Sequence, residues 1–375
     1  MLISPQLNPV GTEAVMMELG IQLSRNGFSS ELAAVGSEWR NSTTDDQIEV
    51  TPIVPKVVYE ALPTTGFFYK ISMVLLSALA LVPLITYFVR RNPSVVVVGL
   101  NPLLILGAIL ISFRRPVVIL SVQGLPRNNR LRRLIWKWQV RRSDTLVVPA
   151  MEVKDVMKQL GVYSEVRIIQ NPVLTHRSVS LAEQKIEHRW LDDPQIKVVL
   201  GVGRLTYQKN FSLLIKAFSQ LDSHDEARLL ILGEGEERSQ LERLIQSLGL
   251  GERVEMPGFA ENPIGFMSRS DVFVLSSRWE GPGHVLIEAM STGVPCVSVE
   301  CPGGPIEIMN AGEYGMISEG FDEQSLTKSI AQSLSGSPEI LAKAELGKSS
   351  TVAYDSIEVG KRYARLANEL LENRN

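Results

Sequence analysis

Cysteine is nearly missing from this 375-residue chain: there are two, Cys296 and Cys301. Two thiols five residues apart make a poor long-range staple and match no metal-ligand spacing, so a reducing cytoplasm is the expected setting. No Asp-x-Asp occurs, so nothing suggests a metal held by paired carboxylates, and neither metal nor other cofactor is expected. The N-terminus has no basic stretch followed by an apolar run, which argues against a secretory signal. No internal repeat is visible. A net charge of −3 with 21% charged residues excludes a disordered chain and a strongly basic nucleic-acid binder. An apolar content of 45% and mean hydropathy of +0.07 sit at the apolar end of soluble proteins, below a polytopic membrane protein. At this length two domains of about 180 residues are expected.

Acidic residues are missing locally. From Ala61 to Ser143 there are twelve basic residues and no acidic one, and the longest apolar runs lie in the same window. Residues 1–190 carry 21 Lys and Arg against 14 Asp and Glu, whereas residues 191–375 carry 17 against 27. The first half is therefore suited to meeting something anionic and apolar. The composition shifts within a polar, proline-containing stretch, which places a linker at 171–196.

What is present in the second half is a repeated strand–turn–helix pattern. Val198–Val202 reads as a strand, Phe211–Leu221 as a helix, Leu229–Leu232 as a strand and Glu236–Leu248 as an amphipathic helix. Val272–Leu275, His284–Met290 and Pro295–Val299 continue as strand, helix, strand. Such βα units build a parallel sheet covered on both faces, which fits apolar runs that do not alternate. The first half repeats the scheme less cleanly, with strands expected at Glu31–Val35, Val95–Val98, Val117–Val122, Leu146–Val148 and Val166–Ile169. Two α/β halves would set a ligand cleft between the carboxyl ends of their sheets. A long amphipathic helix, about Ser356–Leu371, is suited to packing back across both.

The densest chemistry lies in Glu280-Gly281-Pro282-Gly283-His284-Val285-Leu286-Ile287-Glu288. Glycines at a strand-to-helix turn let backbone N–H groups approach a phosphate, and the helix N-terminus adds a favourable dipole. Each glutamate can accept hydrogen bonds from hydroxyl pairs such as those of a sugar or ribose. An ordinary βα turn would share these residues, but a second cluster accompanies them. Gly203-Arg204-Leu205-Thr206-Tyr207-Gln208-Lys209 supplies two cations five residues apart at a sheet edge, suited to neutralising a departing diphosphate without a metal.

In this order, Gly203-Arg204-Leu205 with Lys209-Asn210, Gly233-Glu234-Gly235, Glu280-x7-Glu288 with Ala289-Met290, and Gly293-Val294-Pro295 resemble glycosyltransferase family 4, across nearly all of residues 196–320. The resemblance implies a GT-B fold: two Rossmann-like parallel-sheet domains facing each other across a cleft, with a C-terminal crossover helix. Residues 1–170 would be the acceptor- and membrane-facing domain, 197–353 the nucleotide-sugar domain and 354–375 the crossover helix. By that resemblance Arg204, Lys209 and Glu280 form the catalytic set. The cations hold the diphosphate leaving group and Glu280 holds hydroxyls of the transferred sugar. Glu288 would bind the ribose. Gly11, Gly203, Glu234 and the segment Gly281, Pro282, Gly283, His284 and Val285 complete the donor site. A retaining, front-face reaction needs no protein nucleophile, and none is nominated.

The first half departs from the family. Only Met1-Leu2-Ile3 precedes the loop Ser4–Gly11, and Val10-Gly11-Thr12-Glu13 stands where a Gly-Gly pair is common. Ser121-Val122-Gln123-Gly124 stands where a histidine near the reacting sugar is frequent, and none of the four histidines (176, 188, 224, 284) falls in the first 170 residues. Gln123 can hydrogen-bond a sugar hydroxyl but does not titrate.

Ile71–Val89 is nineteen residues without a charge, long enough for a membrane crossing. Ser94–Phe113 is a second charge-free run, but prolines bracket its strand-like valines, so a buried helix, strand and helix are expected. Arg127–Arg142 differs. It holds seven cations, Arg127, Arg130, Arg132, Arg133 and Lys137 among them, together with Trp136 and Trp138, and no acid. Tryptophan among cations suits a lipid headgroup layer; a solvated helix with its tryptophans in the core is the competing reading. The expected partners are a nucleotide-sugar, a glycan or lipid-linked acceptor and an anionic membrane surface, with no nucleic acid. The expected place is the inner face of the cell membrane, in exopolysaccharide, capsule or lipopolysaccharide synthesis. A UDP-sugar donor is expected, with GDP as the alternative. A GT-B epimerase and a catalytically silent subunit are the rivals.

Overall fold

The computed structural model describes residues 2–4, 11–34, 48–55, 57–58, 61, 69–99, 115–122, 130–162, 165–221 and 226–374. The chain folds as two units: Met1–Pro172 with Ser356–Asn375, and Val173–Asp355.

The first unit is built on a parallel sheet of β1 (Leu2–Ser4), β2 (Glu31–Ala34), β3 (Glu49–Pro52), β4 (Val95–Val98), β5 (Val117–Ser121), β6 (Thr145–Val148) and β7 (Val166–Ile168), in the order β3-β2-β1-β4-β5-β6-β7. Strands β4, β5 and β6 are buried along their whole length, which is why they read as runs of valine, isoleucine and leucine, with Ser121 and Thr145 only at strand ends. One face is covered by α2 (Tyr69–Arg91), α3 (Arg130–Val140) and α4 (Met151–Gln159), through Leu76, Leu84, Val140 and Met157. On the other face Met16 and Leu19 of α1 (Gly11–Arg25) share a core with Val359 and Tyr363. The last two belong to the C-terminal helix Ser356–Glu372, which returns to this unit.

In the second unit β8 (Lys197–Val202), β9 (Ala227–Leu232), β10 (Val254–Gly258), β11 (Val272–Leu275), β12 (Cys296–Val299) and β13 (Met316–Ser318) form a parallel sheet in the order β10-β9-β8-β11-β12-β13. Its helices are α5 (His176–Glu183), α6 (Phe211–Ser219), α7 (Arg238–Ser247), α8 (Pro263–Met267), α9 (His284–Thr292), α10 (Pro305–Ile308), α11 (Glu323–Leu334) and α12 (Pro338–Ser350). The C-terminal helix is then α13. Helix α6 shows the packing logic: Phe211, Leu214, Ile215 and Phe218 are buried on the sheet, each contributing roughly 1.5–3 kcal/mol.

Three strands go beyond the sequence pattern: β3, β10 and β13. All are edge strands; they bury less and carry no apolar run. The stretch 171–196 is not a linker. The units change over at Pro172 and Val173, and 173–196 packs as part of the second unit. There Trp190 is 5% exposed in a core with Val198, Leu200 and Phe273, and Asn262 Nδ2 donates to the Leu181 carbonyl at 2.8 Å. The N–H groups of Val173 and Leu174 both donate to Tyr354 O at 3.1 Å, so the outgoing and returning segments are fastened together.

Nor is the run 71–89 simply buried. Leu76, Ala80, Leu84, Tyr87 and Phe88 lie in the core, while Leu75, Leu79, Val82 and Val89 are exposed. Among the described residues none qualifies as a membrane-crossing helix; α2 has the length, but its inner face is committed to the sheet. Trp136 and Trp138 pack half-buried against that same core rather than standing outward. Arg142 lies over the Trp138 ring, its Cζ 5.6 Å from the centroid. Among the described side chains of α3, the exposed apolar one is Leu134.

Candidate active site

In the second sheet the strand order reverses between β8 and β11, which are hydrogen-bonded neighbours. Loops leaving two such strands diverge and open a crevice at their carboxyl ends. The β8 loop carries Arg204 and Lys209, and the β11 loop carries Glu280. Lys209 Nζ meets Glu280 Oε1 at 2.7 Å, with the side chains 16% and 6% exposed.

Both loops are braced. Ser277 Oγ also donates to Glu280 Oε1, and Ser276 Oγ donates to the Lys209 carbonyl at 3.0 Å. The Arg278 N–H donates to Gln208 O at 2.8 Å, and Gln208 Nε2 to Trp279 O at 2.9 Å. Asn210, at φ 52° before α6, accepts from the Arg278 guanidinium at 3.0 Å. From the β12 side, Glu280 N–H donates to Pro302 O at 2.8 Å. Gly303 has φ 109°, and a Cβ there would stand 1.9 Å from Glu280 O. Only glycine lets the 301–304 turn close on the Glu280 backbone.

Helix α9 begins beyond this carboxylate, after Gly283 at φ 66°. Its N-terminus directs a positive dipole end toward the loop holding Glu280. Burial pushes the His284 imidazole down to about 4, with Glu280 opposing and Lys209 adding to the shift. Burial pushes Glu288 up to about 7, against the pull of Lys209. Lys209 thus acts on both side chains. The site is a cation, two carboxylates and a neutral imidazole around a helix start. Such a set can neutralise phosphate charge and accept hydrogen bonds from hydroxyls without a protein nucleophile.

The structure therefore brings together Lys209, Glu280, His284 and Glu288, with Gly281, Pro282, Gly283 and Val285 framing the same turn. Arg204 is exposed beside Gly203 at the same edge. Glu234 is on the adjacent β9 loop, fastened by Leu205 N–H to Glu234 O at 2.9 Å. Its carboxylate is taken by Arg238 at 2.7 Å. Gly11 opens α1 and Arg130 and Arg132 lie on α3, all in the first unit. Gln123 and Arg127 lie outside the described residues. Sequence reasoning missed Ser277, which is completely buried. The only signal was a Ser-Ser pair at a strand's carboxyl end.

Two family models divide the chain: Glycosyltransferase Family 4 matches residues 9–177 and Glycosyl transferases group 1 matches 183–347. The lipopolysaccharide core biosynthesis glycosyltransferase LpsE of Rhizobium meliloti is 32% identical over 219 residues, covering 58% of this chain and 62% of that protein. The N-acetylgalactosamine-N,N'-diacetylbacillosaminyl-diphospho-undecaprenol 4-alpha-N-acetylgalactosaminyltransferase of Campylobacter jejuni is 31% identical, covering 48% of this chain and 49% of that one. Relatives of this kind work in lipopolysaccharide and lipid-linked glycan synthesis. Alignment with the first curated relatives spans between 49% and 62% of their length. Among solved structures, a Rickettsia africae glycosyltransferase superposes with TM-score 0.81 at 15% identity, covering 99% of this chain and 98% of that one. Anabaena HepE in complex with UDP superposes at 0.74 and 17%, covering 98% and 99%. With the motif residues gathered at the switch point of a 3-2-1-4-5-6 sheet, and both halves matched by their family models, the chain belongs to glycosyltransferase family 4 and has the GT-B fold.

Proposed function

We propose that this protein is a retaining, metal-independent glycosyltransferase. It moves a sugar from a nucleotide-sugar, most simply a UDP-sugar, to a membrane-borne or lipid-linked glycan during exopolysaccharide, capsule or lipopolysaccharide synthesis. The observation that carries this reading is the Lys209–Glu280 pair at the switch point, beside the α9 N-terminus. In the reaction the bond between the anomeric carbon and the diphosphate oxygen breaks, and the acceptor hydroxyl bonds to that carbon on the same face. The hydroxyl proton passes to the departing diphosphate. Lys209 and Arg204 neutralise the growing negative charge, and the helix dipole assists. Glu280, held by Ser277 and Lys209, orients sugar hydroxyls; Glu288 receives those of the ribose.

The choice of UDP draws support from HepE, crystallised with that nucleotide. The acceptor class draws on LpsE and the Campylobacter transferase. Attachment to the inner face of the membrane draws on the acid-free, cationic window from Ala61 to Ser143. The test is release of UDP from UDP-sugars, with and without a lipid-extracted acceptor fraction from producing cells. Release that depends on acceptor and falls about a hundredfold or more in Glu280→Ala is expected. Turnover to an epimerised product without acceptor would refute the transfer reading.

A further inference from the structure

Helix α2 presents an unusual outer face. Leu75, Leu79, Val82 and Val89 are 46%, 46%, 69% and 56% exposed, and with the exposed Ala78 and Thr86 they form one stripe at helical spacing. A helix covering a sheet ordinarily answers its apolar inner face with a charged outer one. Here no charge occurs from Ile71 to Val89. The hydroxyl of Thr86 donates to Val82 O at 3.0 Å, so it is satisfied within the helix. Helix α3 packs on the same core and exposes Arg133, Leu134 and Lys137, with Arg141 and Arg142 beyond its end. One side of the first sheet therefore shows an uncharged apolar stripe and a cationic one. A second copy of the chain makes a poor partner, because a self-complementary face would set cations against cations.

We propose that α2 and α3 form one lipid-facing surface with divided roles. The cations of α3 draw the unit to an anionic leaflet, and the outer stripe of α2 enters the boundary between headgroups and acyl chains. Attachment then has two components, one removed by salt and one not. This deepens the reading of a transferase with a membrane-borne acceptor and rests on it for its purpose. It names the inserting element as α2, with Leu75, Leu79, Val82 and Val89 as its contacts.

The experiment is co-sedimentation of the full chain with vesicles of phosphatidylcholine alone or equimolar with phosphatidylglycerol, at low and high salt. Wild type is expected on anionic vesicles at low salt, with a fraction retained at high salt. Leu79→Glu with Val82→Glu should lower the salt-resistant partition by about tenfold or more, and Val82→Trp should raise it. Arg133→Gln with Lys137→Gln should lower only the low-salt binding. Failure of wild type to bind anionic vesicles, or unchanged binding by the double glutamate variant, would overturn the proposal. So would a self-association that the glutamates abolish while vesicle binding stays unchanged. The calorimetric transition of the first unit, where the substitutions lie, checks folding of each variant. The UDP-induced melting shift reports on the other unit, and its absence in wild type would sink the donor reading while leaving the lipid result to stand or fall on the vesicles.

Discussion

Glu288 has its carboxyl raised to about 7 by burial at the second acidic position of the motif. Above the ordinary value near 4.5 and below 7, the folded state holds a proton that the unfolded chain has lost. Stability of the unliganded protein therefore falls as pH rises through that window. Ribose hydroxyls donate to a carboxylate and favour the ionised form, so UDP affinity should rise as pH climbs to about 7. Glu288→Gln should flatten that part of the rise; calorimetric titration of both proteins across the window checks it. Superimposable profiles would remove Glu288 from the ribose site. That Lys209, Glu280 and Glu288 would lie together was legible because two charged, glycine-containing loops leave strands of one parallel sheet. Ser277 was not, since a serine at a strand end is common and only the three-dimensional contact with Glu280 gives it a role.

At the scale of elements, the site depends on turns that press against one another. The 301–304 turn is the clearest case, because Gly303 abuts the Glu280 backbone at φ 109°. Gly303→Ala should cost about 1–3 kcal/mol in folding and weaken nucleotide-sugar binding by displacing Glu280. Chemical denaturation with a UDP titration measures both, and wild-type behaviour in each would show that the turn is not a support. The inner strands were readable from composition because burial on both faces demands uninterrupted apolar runs. The edge strands β3, β10 and β13 were not, for the converse reason. Helix α2 read as buried because its sequence is apolar all round; that one side is open is a property of its place over the sheet.

On the scale of the whole molecule, the chain leaves its first unit at Pro172 and returns at Ser356. Helix α13 is part of the first core: Val359 is completely buried, and Tyr363 Oη lies 3.0 Å from Ser121 Oγ. Arg167 adds an ion pair to Glu369 at 2.6 Å, exposed and so worth at most about 1 kcal/mol. Val359→Asp, which buries an unpaired charge, should destabilise the first unit by about 3–5 kcal/mol. The calorimetric transition that UDP shifts should stay in place. Equal loss in both transitions would mean that the units unfold together. The amphipathic pattern showed α13 as a helix, whereas its membership of the first core needed the fold.

The proposed transfer depends on a nucleotide diphosphate site built from the β8 and β11 loops. Its most direct test is a thermal-shift panel with UDP, GDP, ADP and CMP on wild type, Arg204→Ala and Lys209→Ala. A nucleotide at about 100 times its dissociation constant stabilises by about 2.7 kcal/mol, enough to move the melting temperature by several degrees. A shift with one base, UDP first, that shrinks in both variants is expected. Arg204→Ala is the cleaner of the two, because Lys209 also pairs with buried Glu280. Flat curves with all four nucleotides from folded wild-type protein would contradict that site.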